Sequence, residues 1–417
     1  MFRVIVLAVV LCVEGIVYVS ARRWLRQSWP DNRGIQILLA GLFLLFNGTL
    51  ALLLVLHVRT TWLPSWFLYV ATDPFYIWHG AVLILGFFLL LALILTLLFR
   101  LLRWLLHATP LIGRRLKAFE RRPAIVQFDK SRRVFLRRSA YGLAAASFGS
   151  AAYGVYAEKD DVRFTRTHIA IPLLPPSMDG FTIAMASDIH SSPFMTKAEM
   201  DACVQALLSV DADVIVVPGD FVTSATEEVY PFAESFSALH APSGVYGVMG
   251  NHDFFAADPD RVAREVNDCG IRLLHNERTL VTKGGGSIAL VGIDDVGRPE
   301  RASAYLRSAL RGASPEVPSI LLCHRPYFLP QAAEEGIDLV LSGHTHGGQI
   351  VFGRFGNVTL TPAQLFSPYV WGHYRHGAAQ MFVSRGVGTV GLPMRINCPP
   401  EIVVITLSRS RVWQPRG

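Results

Sequence analysis

Three observations in the 417-residue sequence predict an α/β domain preceded by an α-helical membrane region. Hydrophobic residues make up 51% of the chain and charged residues only 17%, against about 25% charged in an ordinary soluble domain. Long apolar runs crowd the first part of the chain. Beyond them, short β-branched runs alternate with helical stretches, and five of those runs end in Asp, Asn or His. The length allows two or three structural units at ~150 residues each, and the composition excludes a disordered chain.

The first apolar run covers about Val4 to Ser20, the second Ile35 to about Val58, and the third about Gly80 to Phe99. Each is long enough to cross a hydrocarbon core of ~30 Å as a helix, and each has charged flanks, unlike a buried core helix. A softer fourth stretch, Ala140 to Ala157, comes after Ser131-Arg132-Arg133-Val134-Phe135-Leu136-Arg137. That order resembles a twin-arginine export signal; the plainer alternative is a basic flank beside a membrane helix. No convincing A-x-A cleavage site ends it, so the stretch reads as a retained anchor.

Charge sets the expected orientation. Residues 1–159 hold 19 Lys and Arg against 6 Asp and Glu, whereas residues 160–417 hold 20 against 26. The basic excess therefore flanks the apolar runs, which argues for membrane orientation and against nucleic-acid binding. Four arginines (Arg22, Arg23, Arg26, Arg33) come after the first run, only Arg59 after the second, and twelve basic residues lie between Arg100 and Arg138. Alternation then places the first and third connections in the cytoplasm, and the region after a fourth crossing outside. A bacterial inner (plasma) membrane protein with several crossings is expected. Few ionisable groups interrupt the runs (Glu14 within the first; His57, Asp73 and His79 near edges), which disfavours transport. The five cysteines (Cys12, Cys203, Cys269, Cys323, Cys398) lack paired spacing and indicate neither a zinc ribbon nor a disulfide framework.

In the second half, Phe181–Ala186 reads as a strand ending at Asp188 and His190, and Thr196–Ser209 as an amphipathic helix. Asp213–Val217 ends at Gly219-Asp220, and Val245–Met249 at Gly250-Asn251-His252-Asp253. Further strands are expected at Ile288–Val291, Ile320–Cys323 and Leu339–Leu341, the last two ending at His324 and at Gly343-His344-Thr345-His346. Open α/β sheets bind their ligands at the carboxyl ends of strands. Asp188, His190, Asp220, Asn251, His324, His344 and His346 together offer carboxylate, imidazole and amide oxygen but no thiolate. Such a set suits Mn, Fe, Zn or Mg, and seven donors suit two ions better than one tetrahedral ion.

These motifs resemble those of the calcineurin-like metallophosphoesterase superfamily over residues 180–350. The resemblance implies a four-layer α/β/β/α sandwich spanning 160–417, after a three-helix region with basic cytoplasmic loops over 1–138 and a fourth transmembrane or export-signal-like helix over 139–159. It implies two divalent ions, manganese first among them: Asp188, His190, Asp220 and His346 on one, Asn251, His324 and His344 completing the other, with Asp220 bridging. An activated water attacks phosphorus and His252 assists the leaving oxygen; Asp253 is expected to orient the His252 ring, with a helix or turn cap as its alternative. Many relatives carry an acid where this chain has Thr223.

Gly347-Gly348-Gln349-Ile350, Ser384-Arg385-Gly386-Val387-Gly388-Thr389, Pro393-x-Arg395 and Pro399-Pro400-Glu401-Ile402 resemble a branch of membrane-tethered bacterial enzymes. That branch includes export-signal-bearing phosphodiesterases and UDP-2,3-diacylglucosamine pyrophosphatases. Arg385 and Arg395 are candidates to reach substrate phosphate, or else packing arginines. The expected partners are a phosphorylated, lipid-linked substrate and the membrane, with no nucleic acid; protein partners are not specified. A broad extracytoplasmic phosphodiesterase or phosphatase, and a catalytically silent scaffold or sensor, are the alternatives.

Overall fold

A computed structural model describes residues 2–56, 72–120, 122–295, 297, 299–356 and 358–409. The chain divides into two compact units, Met1–Val155 and Tyr156–Gly417.

The first unit is helical: α1 Phe2–Ser28, α2 Arg33–Leu56, α3 Asp73–Ala108, α4 Pro110–Glu120 and α5 Pro123–Tyr156. Thr109 leaves the helical region at φ −77°, ψ 121°, because the ring of Pro110 disfavours helix at the preceding residue. Two helices among the described residues are long and apolar enough to cross a membrane, one over Arg33–Leu50 and one over Asp73–Ala108. The expected first crossing falls in α1. The expected fourth is not a separate helix: α5 runs unbroken from Pro123 through the twin-arginine-like motif, with no internal proline or glycine before Gly142 to interrupt it. The loop with Arg59 and the end of the second run, including His57 and Val58, lies outside the described residues.

Helices α1, α2 and α3 meet around Val17, Phe43 and Val82, with Trp78 stacked on Phe46 at 4.8 Å. Three polar groups are enclosed there that lie far apart in the sequence. Glu14 accepts from the amide of Asn47 at 3.0 Å and lies 2.8 Å from His79 Nδ1; Glu14 and His79 are each only 2% exposed. The apolar helices are thus joined by a buried carboxylate, amide and imidazole.

Among its described residues the second unit has fourteen strands: β1 Arg163–Ile171, β2 Thr182–Met185, β3 Val214–Pro218, β4 Val245–Val248, β5 Arg272–Leu273, β6 Glu277–Lys283, β7 Gly286–Gly292, β8 Ser319–Leu322, β9 Leu339–Ser342, β10 Gly353–Phe355, β11 Val358–Leu360, β12 Gly372–His376, β13 Ala379–Val383 and β14 Glu401–Arg409. Its α-helices are α6 Lys197–Leu208, α7 Val229–Phe236, α8 Asn251–Phe255, α9 Pro259–Asp268, α10 Pro299–Ala309 and α11 Leu329–Glu334. One six-stranded sheet has the order β1-β14-β2-β3-β4-β5, the other β12-β13-β9-β8-β7-β6, and β10 and β11 form a separate hairpin.

Strands β2 to β5 run parallel, as do β7, β8, β9 and β13. The two sheets face each other through one core that takes Ile183, Val216 and Ile405 from the first and Leu290, Leu322 and Leu341 from the second. The outer face of the first sheet is covered by α6, α7 and α9, through Met200, Phe232 and Val262. The outer face of the second is covered by α10 and α11, through Leu306 and Ala332. The layers are therefore α/β/β/α, and strands buried on both faces explain the continuous apolar runs in the sequence.

Candidate metal centre

The parallel registers set Met185 opposite Val216, Pro218 opposite Val248, and Leu322 opposite Leu341. Each strand therefore stops near the same edge, and the residues just beyond are gathered there. All seven sequence-predicted metal residues lie at this edge. Six of them fall into two clusters whose ligand atoms lie within 4.8 Å of one another: Asp188, His190 and His346; and Asp220, His324 and His344. A third cluster of Asp220, His190 and His252 links them. Asn251, the first residue of α8, is buried behind β4.

The distances are those of donors facing a shared space. His190 Nε2 is 3.1 Å from His346 Nε2, and His344 Nδ1 is 3.2 Å from His324 Nε2. Asp220 Oδ2 stands 3.1 Å from His324 Nε2 and 3.4 Å from His190 Nε2, yet accepts a hydrogen bond from neither. Asn251 Oδ1 is likewise buried with no partner among the described residues. Such orphaned oxygens are costly unless something binds them.

Backbone conformation points the same way. Asp188, His190, Asp220, His344 and His346 all have positive φ, between 50° and 73°. That region costs an L-residue about 1–2 kcal/mol, and such residues concentrate at functional sites. Two glycines make the close approach possible. Gly219 has φ 91°, and a Cβ there would sit 2.7 Å from Gly250 N; a Cβ on Gly250 would sit 2.2 Å from Asp220 Oδ1.

Electrostatics complete the description. Burial lowers His190 to about 3 and holds His344 and His346 well below their usual value, so these rings are neutral and have lone pairs to give. The approach of His190 to Asp220 is accordingly no ion pair. Burial would also lower His324, but the Asp220 and Asp188 carboxylates raise it to about 10. Burial would raise Asp220, but His324 and His190 hold it well below the carboxylate range. The pocket demands positive charge. His324 Nδ1 donates to Pro218 O at 2.9 Å, which leaves Nε2 as its ligand atom. The neutral imidazoles of His190, His344 and His346, the Asp188 and Asp220 carboxylates and the unpartnered Asn251 oxygen fit divalent cations.

The model of the calcineurin-like phosphoesterase family matches residues 181–348. The Bacillus subtilis "Uncharacterized metallophosphoesterase YkuE" is 31% identical over 288 residues, covering 66% of this chain and 97% of the relative. The chain belongs to the calcineurin-like phosphoesterase family. A "Transmembrane protein with metallophosphoesterase domain" from Danio rerio is 32% identical over 270 residues, and one from Bos taurus 29% identical over 299. The matches span 62% and 68% of this chain, and 60% and 65% of those relatives. Family membership makes the α/β unit that of a metal-dependent phosphoester hydrolase, on a chain whose described residues also include two helices apolar enough to cross a membrane.

Around this phosphoesterase centre the structure corrects one expected role. Asp253 does not orient His252. Its Oδ2 accepts from the backbone N–H of Asp220 at 2.9 Å and Gly250 at 2.8 Å, and its Oδ1 from Phe221 at 2.8 Å and Val222 at 3.1 Å. The side chain closes the first turn of α8 and clamps the loop that carries Asp220, closer to the capping alternative.

The ring of His252 is instead set by the backbone: Nδ1 meets the Thr223 carbonyl oxygen, and the His252 N–H donates to Asp220 Oδ1 at 2.8 Å. The position where relatives carry an acid thus acts here through its main chain. Glu228, missed by sequence reasoning, fixes that stretch by accepting from Thr223 N, Ser224 N and Ala225 N at 2.8–3.0 Å. A carboxylate three residues after a loop is too common a pattern to have singled it out.

Both candidate phosphate-binding arginines prove to be packing groups. Arg395 is fully buried and donates to the carbonyls of Arg385, Gly386, Gly388 and Cys398. Arg385 pairs with Glu401 at 2.8 Å and lies over the Trp371 ring.

Proposed function

We propose that this protein is a membrane-anchored two-metal hydrolase of phosphodiesters or pyrophosphates. The observation that carries the reading is the position of Asp220, common to a cluster with His324 and His344 and to one with His190 and His252. Asp188, His190, Asp220 and His346 would hold one divalent ion, and Asp220, Asn251, His324 and His344 the other, manganese being the first choice for this donor set. When bound, the ions supply Lewis acidity that polarises the phosphoryl oxygens and acidifies the attacking water.

The chain's own residues do the rest. Asp220 fixes the spacing of the two donor sets, and its Oδ1 holds the His252 main chain. The Thr223 carbonyl can only accept, so His252 carries a proton on Nδ1 and presents Nε2 to the substrate. As the water oxygen loses a proton to solvent and forms its bond to phosphorus, the ester P–O bond breaks, and His252, acting in its doubly protonated form, passes the Nε2 proton to the departing oxygen and keeps the one on Nδ1. Asp253 and Glu228 hold the loops that align these groups.

The most specific substrate reading, from the sequence resemblance, is UDP-2,3-diacylglucosamine in lipid A metabolism, cleaved at its pyrophosphate. A broad extracytoplasmic phosphodiesterase or phosphatase is the second reading. The distribution of basic residues supports it, since the orientation expected from it would have the α/β unit outside the inner membrane, away from nucleotide-activated precursors. Purified full-length protein loaded with Mn²⁺ decides between them by UMP release against cleavage of a generic aryl phosphodiester. Preference for the former establishes the named substrate and reverses the orientation; equal cleavage discards the named substrate. Two bound metals with no cleavage of either would leave the scaffold reading.

A further inference from the structure

A cavity of about 330 Å³ opens beside the metal centre, with His344 and His346 in its wall. That volume lies within the range of small-molecule sites, roughly 300–1,000 Å³. Most of the remaining wall is apolar, from Ile350, Pro362, Ala363, Phe366, Val390 and Leu392, and no Lys, Arg, Asp or Glu lines it among the described residues. Tyr327 stands edge-on to His344, with ring centroids 5.6 Å apart.

Apolar side chains near the cavity in sequence are exposed to solvent. Leu365 and Phe366 are 83% and 82% exposed, and Phe355, Val358 and Leu360 on the β10–β11 hairpin are exposed as well. Phe366 therefore presents one apolar ring both to the cavity and to solvent.

We propose that this cavity is the subsite for a hydrocarbon chain carried by the phosphoester, with Phe366 as its outer wall. The proposal rests on the hydrolase reading of the same centre and narrows its substrate class to amphiphilic phosphoesters, whatever the head group. Continuity with His344 and His346 identifies the occupant. A group in this cavity touches residues of the metal centre, so it belongs to the molecule whose phosphate lies there rather than to a separate protein. The wall offers a nucleotide no Lys or Arg, and its polar side chains Thr345, Gln349 and Ser367 already donate to main-chain carbonyls. The apolar wall, by contrast, removes methylenes from water, each worth about a fourfold gain in binding when fully buried.

The test uses the full-length chain in lipid nanodiscs, loaded with Mn²⁺, and p-nitrophenyl methyl, butyl and octyl phosphodiesters. kcat/KM is expected to rise at least tenfold from methyl to octyl, as two or more methylenes become buried. Partition of the longer esters into the nanodisc is the same for every variant, so Phe366→Ala isolates the groove: the octyl-to-methyl ratio should fall at least fivefold. A flat series with turnover intact, or a ratio unchanged in Phe366→Ala, overturns the subsite and leaves the hydrolase standing. Absence of turnover for all three esters overturns the hydrolase instead. Binding of octyl against methyl phosphonate by calorimetry then decides the subsite by the same tenfold criterion.

Discussion

Replacing Asp253 with Asn separates a clamp from a catalytic orienter. The carboxylate accepts four backbone N–H groups, two on each oxygen, from Asp220, Gly250, Phe221 and Val222. Asparagine keeps one acceptor oxygen and turns an NH₂ toward the other two donors. Two charge-assisted bonds are lost at about 1.5–3 kcal/mol each, so local opening of the loop should become easier by about 3 kcal/mol or more. Since 1.4 kcal/mol is a factor of ten, amide exchange in a peptide covering residues 219–223 should accelerate at least 100-fold, read by hydrogen–deuterium exchange on the full-length protein. Metal content should fall with it, because the loop carries Asp220. If exchange stays within threefold of wild type and metal stays bound while kcat alone drops, the clamp argument is refuted and Asp253 acts on His252 after all.

Asp220→Asn should abolish turnover and lower metal content, measured by elemental analysis; normal turnover with full metal would remove Asp220 from the bridging position. His252→Ala should leave metal content near normal while turnover falls ~10²-fold or more, and an unchanged rate would exclude the ring from proton transfer. Glu14→Ala leaves His79 Nδ1 without its buried partner and the Asn47 amide with Phe43 O alone, a loss of about 1–3 kcal/mol that should appear as a lower thermal transition of the detergent-solubilised full-length protein. An unaltered transition would contradict the packing of α1, α2 and α3. Burial alone would raise Asp213, but Lys283 and the Thr182 N–H pull its pKa below the usual carboxylate value. Its contribution is therefore present above the unfolded pKa and lost as pH falls through the folded one. Asp213→Asn should destabilise the α/β unit at pH 7 and make progressively less difference below about pH 4, where wild type and variant curves should converge.

The second unit was legible because two periodicities coincide there. Strands buried on both faces read as unbroken apolar runs, and each parallel run hands its next residues to a single edge. Asp188, Asp220, Asn251, His324 and His346 could be found by inspecting the few residues just past the end of each run. Other features depend on contacts that no local pattern encodes. Glu14, Asn47 and His79 belong to three helices, with 33 and 65 positions separating the bonded pairs, so the first unit looked emptier of polar groups than it is. The orientation of His252 hides for a different reason: its partner is a main-chain carbonyl, and any residue at 223 supplies one. Arg395 stayed open between two roles because a guanidinium near a phosphate-binding edge and one stapling a loop look identical in sequence; only burial distinguishes them.

That stapling explains why so polar a residue is enclosed. Asp188 must hold a left-handed backbone at φ 53°, with its carboxylate turned to the pocket. The 385–388 loop grips that turn: Val387 N donates to Ser187 O at 2.9 Å and Gly388 N to Asp188 O at 2.8 Å. A loop in such a position turns its own carbonyls inward, where they need donors. Arg395 meets the carbonyls of residues 385, 386 and 388 with one terminal nitrogen and that of Cys398 with the other. On the far side of the centre Asp253 and Glu228 perform the reverse task, carboxylates answering N–H groups of the loop after β3. The strained ligand residues are thus held from both sides by buried charges bonded to main chain. Such bonds fix backbone direction without depending on the identity of the gripped side chains, which leaves those side chains free to be chosen for the metal.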